Sequence, residues 1–224
     1  WENRTDCAVS DEPLYAAYLA ATRLDHPARD EVVAAGETDW RRVVQALTQG
    51  PAPMNKPLWY QKHMTHHLLP GMDTGWVHQL SNVFLIRDPA QVVESYLKSR
   101  ATVVPDDIGL LQQLRLFDEV AQRLGHAPPV IDADDFLRSP ETHLCALCQH
   151  LGLPFTDRML HWPAGPRESD GVWAPHWYAA VWASTGFEPW RERQPQLSAH
   201  ALALAEACRP AYEALREHRI GLGR

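Results

Sequence analysis

The sequence predicts an α/β fold in which a mostly parallel sheet is covered by helices on both faces. Short apolar runs alternate with longer segments whose apolar residues recur every three or four positions, and this alternation is typical of strand–helix–strand units. The 224 residues, 45% of them hydrophobic and 22% charged, are enough for one sizeable core. We therefore expect a single domain over residues 1–224.

The first strand and helix that we predict surround an acidic residue. Cys7, Ala8 and Val9 form a brief apolar run that ends in a polar turn, after which apolar residues recur with helical spacing from Leu14. Glu12 therefore stands where a strand ends and a helix begins. Two further amphipathic helices are predicted over residues 29–35 and 39–47.

A second strand is predicted over residues 58–61. Lys62 follows at its end, and a short helix carrying His63, His66 and His67 comes next. Three histidines at this spacing also fit a metal site, since residues three and four apart share a helix face. No carboxylate or cysteine completes such a site on that face, so we expect no metal.

Residues 83–86 form a continuous apolar run of the kind found in a parallel strand buried on both faces. Asp88 and Pro89 then supply the N-cap and first residue of a helix. The free N–H groups at such a junction bind anions, and Arg87 adds a guanidinium fork. Ser95 lies two turns along this helix, about 9 Å away along its axis. The junction therefore predicts a phosphate site.

The remaining elements complete the alternation. We expect Asp106 or Asp107 to cap a long amphipathic helix that ends at Gly125. A short strand at residues 130–131 precedes a helix over residues 135–151, interrupted at Pro140.

The C-terminal third changes in composition. Residues 162–193 are rich in Trp, Pro and Gly, a combination that fits either a lid over a ligand or an irregular layer held by large aromatic side chains. A last helix is predicted over residues 197–219 and should kink or divide at Pro210.

Charge and cysteine content exclude several classes of function. A net charge of -7 disfavours binding to nucleic acid or to an anionic membrane, so the expected partner is a small molecule. No apolar stretch reaches the roughly 18 residues of a membrane span. The four cysteines are scattered, which fits a reducing cytoplasm, and Cys145 and Cys148 fall within a helical pattern that favours core packing.

The Arg-x7-Ser spacing of Arg87 and Ser95, within Ile-Arg-Asp-Pro and Ser-Tyr, resembles the 3′-phosphate motif of the sulfotransferases that use 3′-phosphoadenylyl sulfate. The resemblance continues through residues 11–15, 59–64 and 170–178 and so covers most of the chain. It implies a P-loop NTPase-like sulfotransferase fold of the bacterial type. It also implies transfer of a sulfonate from the nucleotide donor to a hydroxyl or amine of a small acceptor, with no metal.

The same resemblance implies roles for individual residues. Glu12 matches the catalytic glutamate that follows the second strand in several members of the family, and Lys62 matches a residue that contacts the sulfonate. His63 is the alternative base, although it comes one residue earlier than the histidine of the Lys-Thr-His triplet in cytosolic members. Arg167 and Gly171 fall loosely on a late basic segment that touches the 3′-phosphate.

One part of the family pattern is not found. Nothing resembling the first strand, or the Pro-Arg-containing loop that holds the 5′-phosphosulfate, comes before Cys7. We therefore expect the first strand of the sheet to be missing. Two alternatives follow from the residues: a degenerate nucleotide-binding protein without catalysis, and a metal hydrolase built on the histidine cluster.

Overall fold

The computed structural model describes residues 1–98, 100 and 102–221 of the chain. It divides into two compact units, the first formed by Trp1–Gln79 with Thr156–Phe187 and the second by Leu80–Phe155 with Glu188–Arg224. The predicted α/β class is confirmed, since short parallel strands alternate with helices. The expectation of a single domain stays a prediction.

The bounds of the elements follow the chain. The strands are β1 (Cys7–Asp11), β2 (Leu58–Lys62), β3 (Phe84–Ile86) and β4 (Val130–Asp132). The helices are α1 (Tyr15–Thr22), α2 (Arg29–Ala35), α3 (Trp40–Gln49), α4 (Pro89–Leu97), α5 (Pro105–Ile108), α6 (Leu110–Leu124), α7 (Ala133–Arg138), α8 (Pro140–His150), α9 (Ala174–Trp177), α10 (Ala179–Ala183) and α11 (Ala199–Arg216). Turns of 3₁₀ helix cover Pro53–Asn55, Thr65–His67, Gly75–Gln79 and Asp157–Met159.

The first unit is built on the parallel pair β1 and β2. The register sets Cys7 opposite Leu58 and Asp11 opposite Lys62, so both strands end at the same level. Residues at the carboxyl ends of parallel strands therefore meet at one edge. Of the histidines that we expected on a short helix, His66 and His67 lie on a turn of 3₁₀ helix at Thr65–His67, while His63 directly follows β2.

Helices α1 and α2 pack together in the first unit. Tyr15, Ala16, Leu19 and Val32 form a buried cluster there, against which the ring of Trp173 also packs. The Trp-rich stretch has little regular structure apart from α9 and α10. Both expectations for this stretch, a lid or an irregular layer, stay predictions.

The second unit is built on the parallel pair β3 and β4, with Phe84 opposite Val130. The predicted junction after β3 is confirmed, because Asp88 caps α4 through a bond from the Ala90 backbone N–H to its Oδ1 at 2.8 Å. Leu85 corrects the expectation of burial on both faces, since it is 63% exposed. The pleat sends Phe84 and Ile86 into the core of this unit and Leu85 to the opposite face.

The long helix α6 does not begin as predicted. Gly109, with φ of +75°, separates it from the short helix α5, and Asp107 accepts a bond from the Val104 backbone N–H at 2.9 Å instead of capping α6. The left-handed conformation at Gly109 suits glycine, which has no Cβ to clash. The predicted cap was therefore wrong, although α6 itself and its end at Gly125 are confirmed.

The last helix continues through Pro210 as one element and does not divide. Its small residues Ala201 and Ala205 pack against Val93 of α4, and all three side chains are buried. Burial on both sides of the proline, up to Leu215, offsets the hydrogen bond that Pro210 removes. Tertiary packing here outweighs a local signal for a helix break.

One expectation about architecture, the missing first strand of the sheet, stays a prediction. Each strand ladder among the described residues lies within one unit. No helix in the described ranges is long and apolar enough to cross a membrane.

Candidate functional site

An ionic cluster of the first unit lies where β1 and β2 end. Lys62 Nζ lies 2.6 Å from Glu12 Oε1 and 3.1 Å from Asp11 Oδ1. The register explains the contact, because Asp11 is the residue opposite Lys62 and Glu12 is the next along the chain. The structure therefore brings together two predicted site residues, Glu12 and Lys62, and adds Asp11.

The backbone fixes Glu12 at this point. Its N–H donates to the Lys62 carbonyl and its own carbonyl accepts from the Tyr15 N–H, each at 2.9 Å. Its φ of +47° lies in the left-handed region, which is unusual for a residue with a Cβ. Such strain, on the order of 1–3 kcal/mol, is found more often at functional sites than elsewhere.

Tyr178 completes the cluster and was not predicted from the sequence. Its hydroxyl donates to Asp11 Oδ2 and accepts from Lys62 Nζ at 3.2 Å. Burial raises the pKa of Tyr178 to about 12, so the hydroxyl keeps its proton and remains a donor to Asp11. Its sequence signals were its place in the aromatic C-terminal region and in residues 170–178, which carry part of the family resemblance.

Protonation within the cluster follows from burial and charge. Burial alone would lower the pKa of Lys62, but the carboxylates of Glu12 and Asp11 outweigh it and raise that pKa above its ordinary value. Burial raises the pKa of Glu12, and Lys62 opposes this only in part. Lys62 is therefore a fixed cation, while Glu12 is a stronger base than an exposed glutamate.

His63, the alternative base, has a different environment. Its Nε2 lies 3.3 Å from Gln61 Oε1, and its ring lies beside that of Trp76 at 5.4 Å between centroids. Burial lowers the pKa of His63 to about 4, so the ring is neutral near pH 7. His63 therefore has no carboxylate partner among the described residues, and its role as the alternative base stays a prediction.

The other histidines pack among aromatic rings. His67 stacks on Tyr15 with centroids 4.9 Å apart and also contacts His66. The described side chains contain no group of three or more His, Cys, Asp or Glu residues arranged to hold a metal ion. The histidine cluster thus offers no ligand set for the metal-hydrolase alternative within the described chain.

Arg87 is the counterpart of Lys62 in the second unit, directly after β3. Its Nε donates to Gln91 Oε1 at 3.0 Å, and Gln91 Nε2 donates to Asp134 Oδ2 at 2.9 Å. In the part of the chain that the structure describes, no carboxylate forms an ion pair with the Arg87 guanidinium. Arg87 therefore keeps its charge without a direct counterion.

A second cation, Arg193, lies near Arg87. Burial lowers the pKa of Arg87, and electrostatic repulsion from the nearby charge of Arg193 lowers it further. Ser95 is on the exposed side of α4, and its assignment to the phosphate stays a prediction. Arg193, Gln91 and Asp134 were all missed from the sequence, and none has a local signal beyond the i, i+4 spacing of Arg87 and Gln91.

The two residues of the late basic segment have structural partners in the first unit. Arg167 Nη1 lies 3.2 Å from Asn3 Oδ1 and 3.5 Å from Glu2 Oε2. A Cβ at Gly171 would lie 2.1 Å from the ring of Trp173, so only glycine leaves room for that ring. Their assignment to the nucleotide stays a prediction.

A family model described as a sulfotransferase domain matches residues 1–219. Two Arabidopsis thaliana proteins, named branched-chain-amino-acid aminotransferase-like protein 1 and protein 2, are 37% and 35% identical over 215 residues. Those matches cover 96% of this chain but 38% of each relative.

A solved structure also shows similarity. A sulfotransferase domain from the curacin biosynthetic pathway matches with 17% identity and a TM-score of 0.44, covering 87% of this chain and 77% of that one.

Proposed function

We propose that this chain, which belongs to the sulfotransferase domain family, moves a sulfonate from 3′-phosphoadenylyl sulfate to a hydroxyl or amine of a small organic acceptor. Arg87 and Ser95 would bind the 3′-phosphate of the donor, with Arg167 and Gly171 as further candidates. Glu12 would act as the base and Lys62 would contact the sulfonate. No residue is assigned to a metal.

The observation that carries the proposal is the uncompensated guanidinium of Arg87 at the end of β3. A partly buried cation without a counterion costs free energy, and a bound anion recovers that cost. The N-terminal turn of α4 adds backbone N–H groups and the positive end of a helix dipole beside it. In a chain of net charge -7, a guanidinium that has no direct counterion among the described residues supports a specific phosphate site.

The cluster around Lys62 supports the chemical step. Glu12 would take the proton of the acceptor O–H or N–H as the acceptor atom forms its bond to sulfur. The bond from sulfur to the bridging phosphate oxygen breaks, and its electron pair leaves with 3′-phosphoadenosine 5′-phosphate. Lys62 would stabilise negative charge on the transferring group, and its raised pKa keeps it charged at neutral pH.

Donor turnover tests the proposal directly. The purified protein would be incubated with 3′-phosphoadenylyl sulfate and a panel of phenols, alcohols and amines, and release of 3′-phosphoadenosine 5′-phosphate would be measured. Release that depends on one acceptor class supports sulfonate transfer. Absence of acceptor-dependent release across the panel, from protein that binds the nucleotide, contradicts it.

A second candidate is a nucleotide-binding protein without transfer activity. It is favoured by one observation: Lys62 is already engaged by two carboxylates, which leaves the cluster net negative and opposes approach of an anionic sulfonate. Nucleotide binding without turnover would support this candidate.

The aminotransferase-like character in the relatives' names belongs to those longer proteins, and we propose for this chain only the activity of its own domain family. A cytoplasmic location remains a prediction, supported by four free cysteines.

A further inference from the structure

The Arg87 guanidinium is held by a neutral side chain. Its Nε donates to Gln91 Oε1 at 3.0 Å, which uses one of the five N–H donors of the group. The four donors on the two Nη atoms make no hydrogen bond to any described residue. Gln91 is only 7% exposed, so its amide is a built part of the second unit and not a surface group.

Asp134 fixes which way the Gln91 amide points. Gln91 Nε2 donates to Asp134 Oδ2 at 2.9 Å, and since a carboxylate only accepts, the amide nitrogen must face Asp134. The amide oxygen is then turned toward Arg87. Asp134 is itself held at the start of α7, where its backbone N–H donates to Asp132 Oδ1 at 3.0 Å.

The carboxylates near Arg87 are engaged elsewhere. Asp88 pairs with Arg209 at 2.8 Å and caps α4, and Glu94 accepts from the Gln196 backbone N–H at 2.9 Å. Asp134 is separated from Arg87 by the Gln91 amide. The second unit thus places three carboxylates around Arg87 and commits each to another donor.

We propose that Gln91 is a positioning residue that aims the Arg87 guanidinium and, because its amide is neutral, leaves the full charge of Arg87 available to a doubly charged phosphate monoester. The inference rests on the proposed function, in which that monoester is the 3′-phosphate of the donor. A carboxylate at position 91 would hold the same nitrogen but would pair with Arg87 and lie against Asp134. Such a site would suit a phosphate monoester poorly.

Two nucleotides that differ in the 3′-phosphate provide the test. Calorimetry would give the Kd of the protein for 3′-phosphoadenosine 5′-phosphate and for adenosine 5′-phosphate, and the ratio of the two isolates the contribution of the 3′-phosphate. The variants are Gln91→Glu, which adds a charge, and Gln91→Met, which removes the hydrogen bonds at similar volume. Gln122→Glu on the exposed face of α6 is the matched control for charge.

The unchanged protein should prefer the 3′-phosphorylated nucleotide by about 30-fold or more, as a charged bidentate contact gives. Gln91→Glu should reduce that preference by about tenfold and Gln91→Met by about threefold, with the Kd for adenosine 5′-phosphate nearly constant. Gln122→Glu should keep the preference. If Gln91 had only a structural role, its substitution would weaken the binding of both nucleotides by the same factor.

The outcomes separate this inference from the proposed function. No preference in the unchanged protein overturns the phosphate assignment of Arg87 and therefore both proposals. A preference that survives in both Gln91 variants overturns the role of Gln91 alone. If a thermal melt shows that Gln91→Glu does not fold, the ratio of the two Kd values in Gln91→Met tests the role of Gln91 instead.

Discussion

Lys62 is the last residue of one parallel strand and Arg87 directly follows another, yet the two cations have opposite kinds of partner. Lys62 has two carboxylates and a tyrosine hydroxyl within 3.2 Å. Arg87 has a neutral amide and, among the described residues, no counterion. The carboxyl end of a parallel strand therefore holds a compensated cation in the first unit and a cation without a counterion in the second.

The difference separates two kinds of task. A compensated cation is held in a fixed position by the carboxylates of the protein, and it holds those carboxylates in place. Such a cation is suited to orienting a base. An uncompensated cation leaves its binding capacity for a ligand, and the folded protein bears the free energy of desolvation until that ligand arrives. The comparison predicts that the two positions respond differently to substitution.

Replacing Glu12, which contacts the compensated cation Lys62, should have the largest effect on turnover. Glu12→Gln keeps the shape but removes the base, so we expect kcat to fall by about 100-fold or more with donor affinity nearly unchanged. Glu31→Gln, an exposed change in the first unit, is the control. His63→Ala should reduce kcat much less, and the reverse pattern would make His63 the base.

The pH profile of the same enzyme provides a second check on Glu12. A base acts when it is deprotonated, so kcat/KM should fall as the pH falls through the pKa of Glu12, which burial has raised above its ordinary value. The acid limb should disappear in Glu12→Gln. An acid limb that is unchanged in this variant would assign it to another group.

Removing each cation should affect the free energy of unfolding to different degrees. Lys62→Met leaves Asp11 and Glu12 facing each other without a counterion, and we expect a loss of about 1–3 kcal/mol, a figure reduced from that for a buried pair because Lys62 is 39% exposed. Arg87→Met should change stability by less than about 0.5 kcal/mol, since no ion pair is lost. Urea unfolding measures both, with Lys98→Met as control. Equal losses for Lys62→Met and Arg87→Met would remove the distinction between the two cations.

Tyr178→Phe tests whether the tyrosine hydroxyl stabilises the cluster around Lys62. The change removes the hydrogen bond to the Asp11 carboxylate and should destabilise the protein by about 1.5 kcal/mol. Tyr60→Phe is a matched control on β2, because the Tyr60 hydroxyl makes no hydrogen bond to the described residues. Thermal unfolding of the two variants should differ, and identical melting temperatures would show that Tyr178 does not support the cluster.

Ser95→Ala should have the smallest effect, on the uncompensated side. One neutral hydroxyl contact to a phosphate contributes about 1 kcal/mol, so the Kd for 3′-phosphoadenosine 5′-phosphate should rise about fivefold. Ser198→Ala is unsuitable as a control because Ser198 caps α11, so Ser81→Ala, an exposed change in the second unit, is preferred. A Kd that does not change would remove Ser95 from the phosphate site.

Local signals predicted the parts of both sites that lie at strand ends. The apolar run before Arg87 and the Asp88-Pro89 cap gave the junction, and Lys62 was placed at the end of β2 by the same reasoning. These features depend on neighbours along the chain, which a sequence displays directly. Arg87 could therefore be named as a candidate without coordinates, while the role of Lys62 came from the family resemblance.

Contacts between distant segments could not be predicted. Tyr178 reaches Asp11 across 167 positions, and Gln91 reaches Asp134 across 43. The exposure of Leu85 likewise depends on which elements cover β3, and the continuity of α11 through Pro210 depends on its packing. A single sequence carries no record of such pairings, so the charge balance that distinguishes Lys62 from Arg87 was visible only in the structure.

The central claim is that Arg87 is kept without a counterion in order to bind a phosphate group. Calorimetric titration with 3′-phosphoadenosine 5′-phosphate, comparing the unchanged protein with Arg87→Ala and with the exposed control Arg115→Ala, tests it most directly. Arg87→Ala should weaken binding by about 2–4 kcal/mol, roughly 30- to 1,000-fold, while Arg115→Ala binds normally. Equal affinity of the unchanged protein and Arg87→Ala would contradict the claim.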